Sequence, residues 1–164
     1  MGEQPCMWST LELHFLVFIG AGRTVGMLQK VLTMRRLQAL GQLTLTFMLK
    51  VSWRDCIHFL QSIPPSVRKL SLRCLSLATP LPPIHVLAEE LVKFEEVHLC
   101  DFGGIDSNLK AAILRAVAAV VGSSGKESKL KVLSMFARAW CISDALAEAR
   151  KVLTVNIITN PKGC

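Results

Sequence analysis

The sequence is poor in the features that mark several large protein classes. No stretch of about 18 apolar residues runs free of charge, which a membrane-spanning helix needs. The nearest, Leu13–Gly22, contains His14, is too short and is followed by Arg23. No Lys or Arg precedes that run, where a secretory signal carries its basic region; Glu3 and Glu12 stand there instead. The chain is therefore expected to have no membrane association and no targeting segment. Cysteines occur at 6, 56, 74, 100, 141 and 164, but no Cys-x-x-Cys pair exists, which argues against zinc. Without a secretory signal, the even count is expected to reflect reduced thiols rather than disulfides. The expected location is the cytoplasm, with the nucleus as second choice.

Catalytic and cofactor signatures are also missing. The histidines, at 14, 58, 85 and 98, form no His-Glu-x-x-His or similar ligand pair. Ser66, Ser71 and Ser76 lack the Gly-x-Ser-x-Gly elbow that exposes a nucleophile. The segment Gly20–Gly26, Gly-Ala-Gly-Arg-Thr-Val-Gly, looks like a dinucleotide loop with one residue too many. The ribose-holding acid that such a loop needs is absent, because Met27 to Arg54 contains no Asp or Glu. Gly122–Ser128 resembles the end of a phosphate loop but follows a helix and carries Glu127 where Ser or Thr belongs. No metal or cofactor is expected. A nucleotide-dependent enzyme using Gly20–Gly26 is the weakest reading kept. The basic residues Lys126, Lys129 and Lys131 are separate from Arg35 and Arg36, without the aromatic interleaving that nucleic acid wants. Nucleic acid is therefore not expected as a partner.

What is present is a repeat. The chain has 164 residues, 51% of them hydrophobic, enough for one domain with a real core and too apolar for disorder; its net charge of +7 is mild. The stretch Phe94-x-x-Val97-x-Leu99 has copies at Trp8-x-x-Leu11-x-Leu13, Leu40-x-x-Leu43-x-Leu45, Val67-x-x-Leu70-x-Leu72 and Leu130-x-x-Leu133-x-Met135. Leu153-x-Val155-x-Ile157 is read as the last copy. Anchors at Leu11, Leu43, Leu70, Val97, Leu133 and Leu153 lie 32, 27, 27, 36 and 20 residues apart. Each copy alternates apolar and polar residues, as a strand with one buried face does.

Between the copies lie helical patterns. Gly26–Gln38 has helical apolar spacing. Ser52 can cap a helix that Pro64-Pro65 stops. Pro82-Pro83 can open one through Val92, with Leu87 and Leu91 inward and Glu89 and Glu90 outward. Ser107 caps Asn108–Val121, which Gly122 ends, and Ser143 begins a last helix through Arg150. Strands and helices alternate, so the sheet should be parallel. Strands covered on both faces read as continuous apolar runs. The inner positions here are mostly polar, so helices should cover one face only.

This pattern resembles the strand signature of leucine-rich repeats, L-x-x-L-x-L, over Trp8 to Ile158. The 27-residue spacing resembles the ribonuclease-inhibitor-like subtype found in F-box-type substrate receptors and nucleotide-sensing (NLR-type) receptors. The family's Asn or Cys turn position is occupied instead by Leu16, Met48, Leu75, Phe102, Arg138 and Ile158. The resemblance implies a right-handed α/β horseshoe with six parallel strands on the concave face and helices on the convex face. It also implies a single domain over 1–164 lacking full end caps, a fragment or shortened member of a longer array. The implied activity is non-enzymatic binding of another protein on the concave face. The alternative is the substrate-recognition part of an F-box-type ubiquitin ligase. One column of that face is expected to hold Glu12, Thr44, Ser71, His98, Ser134 and Thr154. The next is expected to hold His14, Thr46, Arg73, Cys100, Phe136 and Asn156, with Arg73, His98 and Phe136 as anchors.

Overall fold

The strands of the main sheet alternate with helices along the chain, and two short extra strands follow the second and third of them. In chain order the elements are β1 (Thr10–Phe15), α1 (Ala21–Leu32), β2 (Gln42–Phe47), β3 (Lys50–Val51), α2 (Trp53–Ser62), β4 (Lys69–Arg73) and β5 (Ser76–Leu77). There follow α3 (Ile84–Leu91), β6 (Glu96–Cys100), α4 (Ser107–Ser124), β7 (Val132–Phe136), a 3₁₀ turn at Ala139–Cys141, α5 (Ser143–Ala149) and β8 (Thr154–Ile158). The computed structural model describes residues 8–15, 21–33, 37–47, 50–73, 76–77, 83–100, 107–124 and 128–159. Six strands form one all-parallel sheet in the order β1-β2-β4-β6-β7-β8. The order never reverses, so the sheet has no switch point of the kind at which open α/β folds bind nucleotides.

Helices on alternate faces would be separated by the sheet. Here α1 packs on α2, α2 on α3, α3 on α4 and α4 on α5. The five described helices thus form one layer on one face, and among the described residues no helix covers the other. The apolar pair of each strand points into the covered face. Leu11, Leu43, Leu70, Val97, Leu133 and Val155 align across the sheet, and so do Leu13, Leu45, Leu72, Leu99, Met135 and Ile157. From β2 to β7 both members of every pair are buried.

A second ladder fixes the register just before the strands. The amide of Gly41 donates to the Ser9 carbonyl, Arg68 to Gly41, Glu95 to Arg68 and Lys131 to Glu95, all at 2.8–2.9 Å. Each of these residues stands two positions before its strand's first core residue. The last strand departs from the expected register. Val155, not Leu153, aligns with Leu133, so Val152-x-x-Val155-x-Ile157 is the last copy of the pattern. Leu153 is buried as well, which is why apolarity alone suggested a frame shifted by two residues. A two-residue shift keeps every side chain on its face, so alternation could not expose the error.

Short strands β3 and β5 form a separate parallel pair, with Lys50 opposite Ser76 and Val51 opposite Leu77. Partners differ by 27 residues at Thr46 and Arg73 but by 26 at Lys50 and Ser76, so β2–β3 carries one residue more than β4–β5. Of the expected turn residues, Leu16, Met48, Leu75 and Phe102 lie outside the described residues.

The helices form where expected, with three corrections. Ser52 caps α2: its Oγ accepts from the Asp55 amide at 3.1 Å and donates to the Asp55 carboxylate at 2.7 Å. The first helix is Ala21–Leu32 rather than 26–38, so Gly22 and Gly26 lie inside it. Each helical glycine costs up to about 1 kcal/mol relative to alanine, and packing of α1 on α2 outweighs that cost. Helix α4 runs past Gly122 to Ser124, and Gly122 does not adopt the left-handed backbone of a glycine cap. Glu90 is not outward but buried, at 6% exposure, unlike the exposed Glu89. It sits at the edge of the apolar stripe of α3, where Gln61 of α2 reaches its Oε1 at 3.3 Å and Lys93 its Oε2 at 2.6 Å.

Two measurements check this packing. An added Cβ at Gly26 meets nothing within 4 Å, so Gly26→Ala should raise stability by about 0.5–1 kcal/mol in urea unfolding. A loss would mean that the segment is a loop rather than a helix. Cys56 is buried in the α2 core, and burial, reinforced by the neighbouring Asp55 carboxylate, pushes its thiol from 9.0 up to about 12. Between those values the unfolded chain has released the proton and the folded chain keeps it, so stability falls as pH rises through that window. The chain has no tyrosine to obscure it. Alkaline unfolding should therefore be steeper in the wild type than in Cys56→Ala, and parallel curves would contradict the assignment.

Candidate functional site

The open face is built from the polar half of each strand's alternation. Its central column is Glu12, Thr44, Ser71, His98, Ser134 and Asn156, which are opposite one another in register. Asn156 takes the place expected for Thr154. Thr154 belongs one column earlier, opposite Val132, with Gln42, Lys69 and Glu96. The following column is His14, Thr46, Arg73 and Cys100, and Phe136 is opposite Ile158 rather than Asn156. The side chain of His14 lies outside the described residues.

Exposure is uneven along these columns. Glu12 and Asn156, near the two edges, are exposed, and Ser71 and His98 are half-buried. Thr44 and Ser134 are buried, and so is Cys100, contrary to the expectation of a uniformly exposed face. A small side chain on an inner strand is shaded by longer neighbours on both flanks. For Thr44 those neighbours are visible: Arg73 of β4 reaches across β2 to Glu12 of β1, Nη1 to Oε1 at 3.5 Å. Both ends of that pair remain partly exposed, so its contribution to stability is about 0–1 kcal/mol. It instead fixes where a positive and a negative charge stand on the face. Arg73 Nε and Thr46 Oγ1 are buried with no hydrogen-bond partner, so two polar atoms of neighbouring strands remain unsatisfied together.

His98 places Nε2 at 3.8 Å from Glu96 Oε2. Glu96 also receives Lys69 from the adjacent strand at 3.0 Å. The Lys69–Glu96 pair is a cross-strand pair of opposite charge, set by the parallel register, whereas His98 and Glu96 are two residues apart on β6 itself. Phe136 has a structural role that the sequence did not show: Lys110 of α4 places Nζ 5.6 Å from its ring centre, and the ring is half-buried. Phe136 is thus in contact with the helix layer through Lys110 as well as standing at the end of its strand.

The feature that sequence reasoning missed is Trp140. It lies in the 3₁₀ turn that leaves β7 and is 75% exposed, more than any other large apolar side chain described. Nothing in the repeat pattern points to it, because it falls between strand and helix. Among the described residues no group of three or more His, Cys, Asp or Glu could hold a metal ion. No described helix is long and apolar enough to cross a membrane. Of the Gly20–Gly26 segment, Gly20 lies outside the described residues and the rest is the start of α1.

The face therefore offers fixed polar groups of both signs on rigid strands. This suits recognition of another surface by hydrogen bonds and charge. Comparison with protein-family models, with curated proteins and with solved structures finds no match to this chain.

Proposed function

We propose that the chain is a leucine-rich-repeat solenoid of the ribonuclease-inhibitor-like kind, and that it binds a partner protein on the open face of its sheet. The observation that carries this reading is the one-sided sheet: six consecutive parallel strands, one helix layer and an uncovered polar face. The repeated amide ladder and the 27-residue spacing support the repeat assignment. Neighbouring strands on such a face stand about 4.8 Å apart, so the side chains of one column are presented at set spacing. Strands hold them in place, and little conformational entropy is lost on binding. Arg73 and His98 are the central anchors, with Ser71, Glu12 and Asn156 around them. Trp140 contributes at the edge where β7 ends, because exposed tryptophan is enriched at binding hot spots. The proposal is non-enzymatic. Free thiols at Cys56 and Cys141 suit a reducing compartment, the cytoplasm or the nucleus.

Photo-crosslinking tests the face directly. Benzoylphenylalanine is placed at Ser71 and at Asn156, and at Glu89 on exposed α3 as a control. In native lysate, the two open-face positions should form adducts with the same protein, and Arg73→Ala should weaken the adducts while the melting temperature stays within a few degrees. Adducts from Glu89 alone, or none from either open-face position, would overturn the proposal. A cullin adaptor among the captured proteins would narrow it to a substrate receptor of a ubiquitin ligase.

A further inference from the structure

A second surface lies at the N-terminal edge of the sheet, away from the open face. Residues just before β2, β4, β6 and β7 line a cleft of about 590 Å³. Its walls include Gly41, Ser66, Arg68, Lys93, Glu95 and Lys129. Three cations face one carboxylate. Arg68 reaches Glu95 only at 3.9 Å, and Lys93 is held by Glu90 at 2.6 Å. Lys129 is exposed and pairs with no acid among the described residues. Ser66 Oγ, in the wall, and Ser128 Oγ, beside Lys129, are buried with no hydrogen-bond partner. A buried donor left unpaired costs about 1–3 kcal/mol, which a ligand oxygen can offset.

The cleft continues into a second one of about 330 Å³, which shares Lys93 and Lys129 with it. This annex has an apolar wall of Leu60, Ile63, Pro64 and Phe94 beside the polar Gln61, Lys93 and Lys129. Basic groups and an apolar recess are therefore side by side. The backbone amides of Gly41, Arg68, Glu95 and Lys131 are already used in the edge ladder. Recognition here must come from side chains.

We infer that this groove binds an acidic peptide segment that carries an apolar side chain next to its carboxylates. The span from β2 to β7 is three strand spacings, about 14 Å, or about four residues of extended chain at 3.3 Å each. Carboxylates complement Arg68 and Lys129, and the apolar residue fills the annex. Nucleic acid fits less well, because bases need exposed aromatic faces and Phe94, the aromatic of the annex, is buried. The inference does not depend on the open face.

The test is fluorescence anisotropy with a labelled peptide, Gly-Glu-Glu-Leu-Glu-Glu-Leu-Gly, and the same peptide with lysine for glutamate, on the full chain. The glutamate peptide should bind saturably and more weakly at high salt, and the lysine peptide should not bind. Lys129→Glu should weaken binding at least tenfold, and Lys129→Ala by less. Lys151→Glu, on the exposed turn after α5, should leave it unchanged. Circular dichroism melts establish that each variant folds. Absence of saturable binding, equal loss with Lys151→Glu, or tighter binding of an eight-residue oligothymidine would overturn the inference.

Discussion

The structure depends on one repeated contact: two apolar side chains per strand, held in register, pressing on a single layer of helices. Leu43, Leu45, Leu70, Leu72, Val97, Leu99, Leu133 and Met135 are all at most 2% exposed. Each fully buried side chain of this kind contributes about 1.5–3 kcal/mol. Their alignment is what makes the burial additive, since each pair is covered by its neighbours on both sides. The ends show the same rule in reverse. The first apolar position of the motif is buried in the four inner copies, at Leu40, Val67, Phe94 and Leu130. In the outer copies, Trp8 and Val152 are 45% and 43% exposed, because each has a neighbouring repeat on one side only among the described residues.

That contact also determines what the other face can be. Side chains alternate along a strand, so committing every second residue to the helices leaves the rest facing away. With none of the described helices over them, these positions tolerate Glu12, Ser71, His98 and Asn156. The register then brings specific charges together, as in Lys69 with Glu96 and Arg73 with Glu12. A binding face of this type is a consequence of the core rather than an addition to it. The groove at the N-terminal edge follows from the same repetition, because equivalent loop residues of successive repeats line up beside each other.

Much of the architecture was legible because two periodicities carry it. The apolar spacing identified five of six strands in the right register, and the lack of continuous apolar runs identified the open face. Capping at Ser52 was readable because a serine stands directly before the helical pattern that Pro64-Pro65 stops. The failures have particular causes. Leu153 is as apolar as a true anchor, and a shift by two residues leaves alternation intact, so Thr154 and Asn156 were placed one column too far. The glycines of Gly20–Gly26 placed the start of the first helix at Gly26, but the helix already begins at Ala21 and holds Gly22 and Gly26. Glu90 is buried by a partner on a neighbouring helix, Gln61, which is 29 positions away and invisible to local pattern. Thr44 is buried under the Arg73–Glu12 pair of the flanking strands, and Trp140 belongs to no period at all.

The central claim is that one face of the sheet is packed and the other open, and adjacent residues of β4 test it in a single comparison. Leu72 points into the helix layer and Ser71 away from it. In urea unfolding, Ser71→Glu should stay within about 1 kcal/mol of the wild type. Leu72→Glu should lose more than about 3 kcal/mol or fail to fold, because it buries an unpaired charge and removes a core side chain. If Ser71→Glu is as damaging as Leu72→Glu, both faces are covered and the account is wrong.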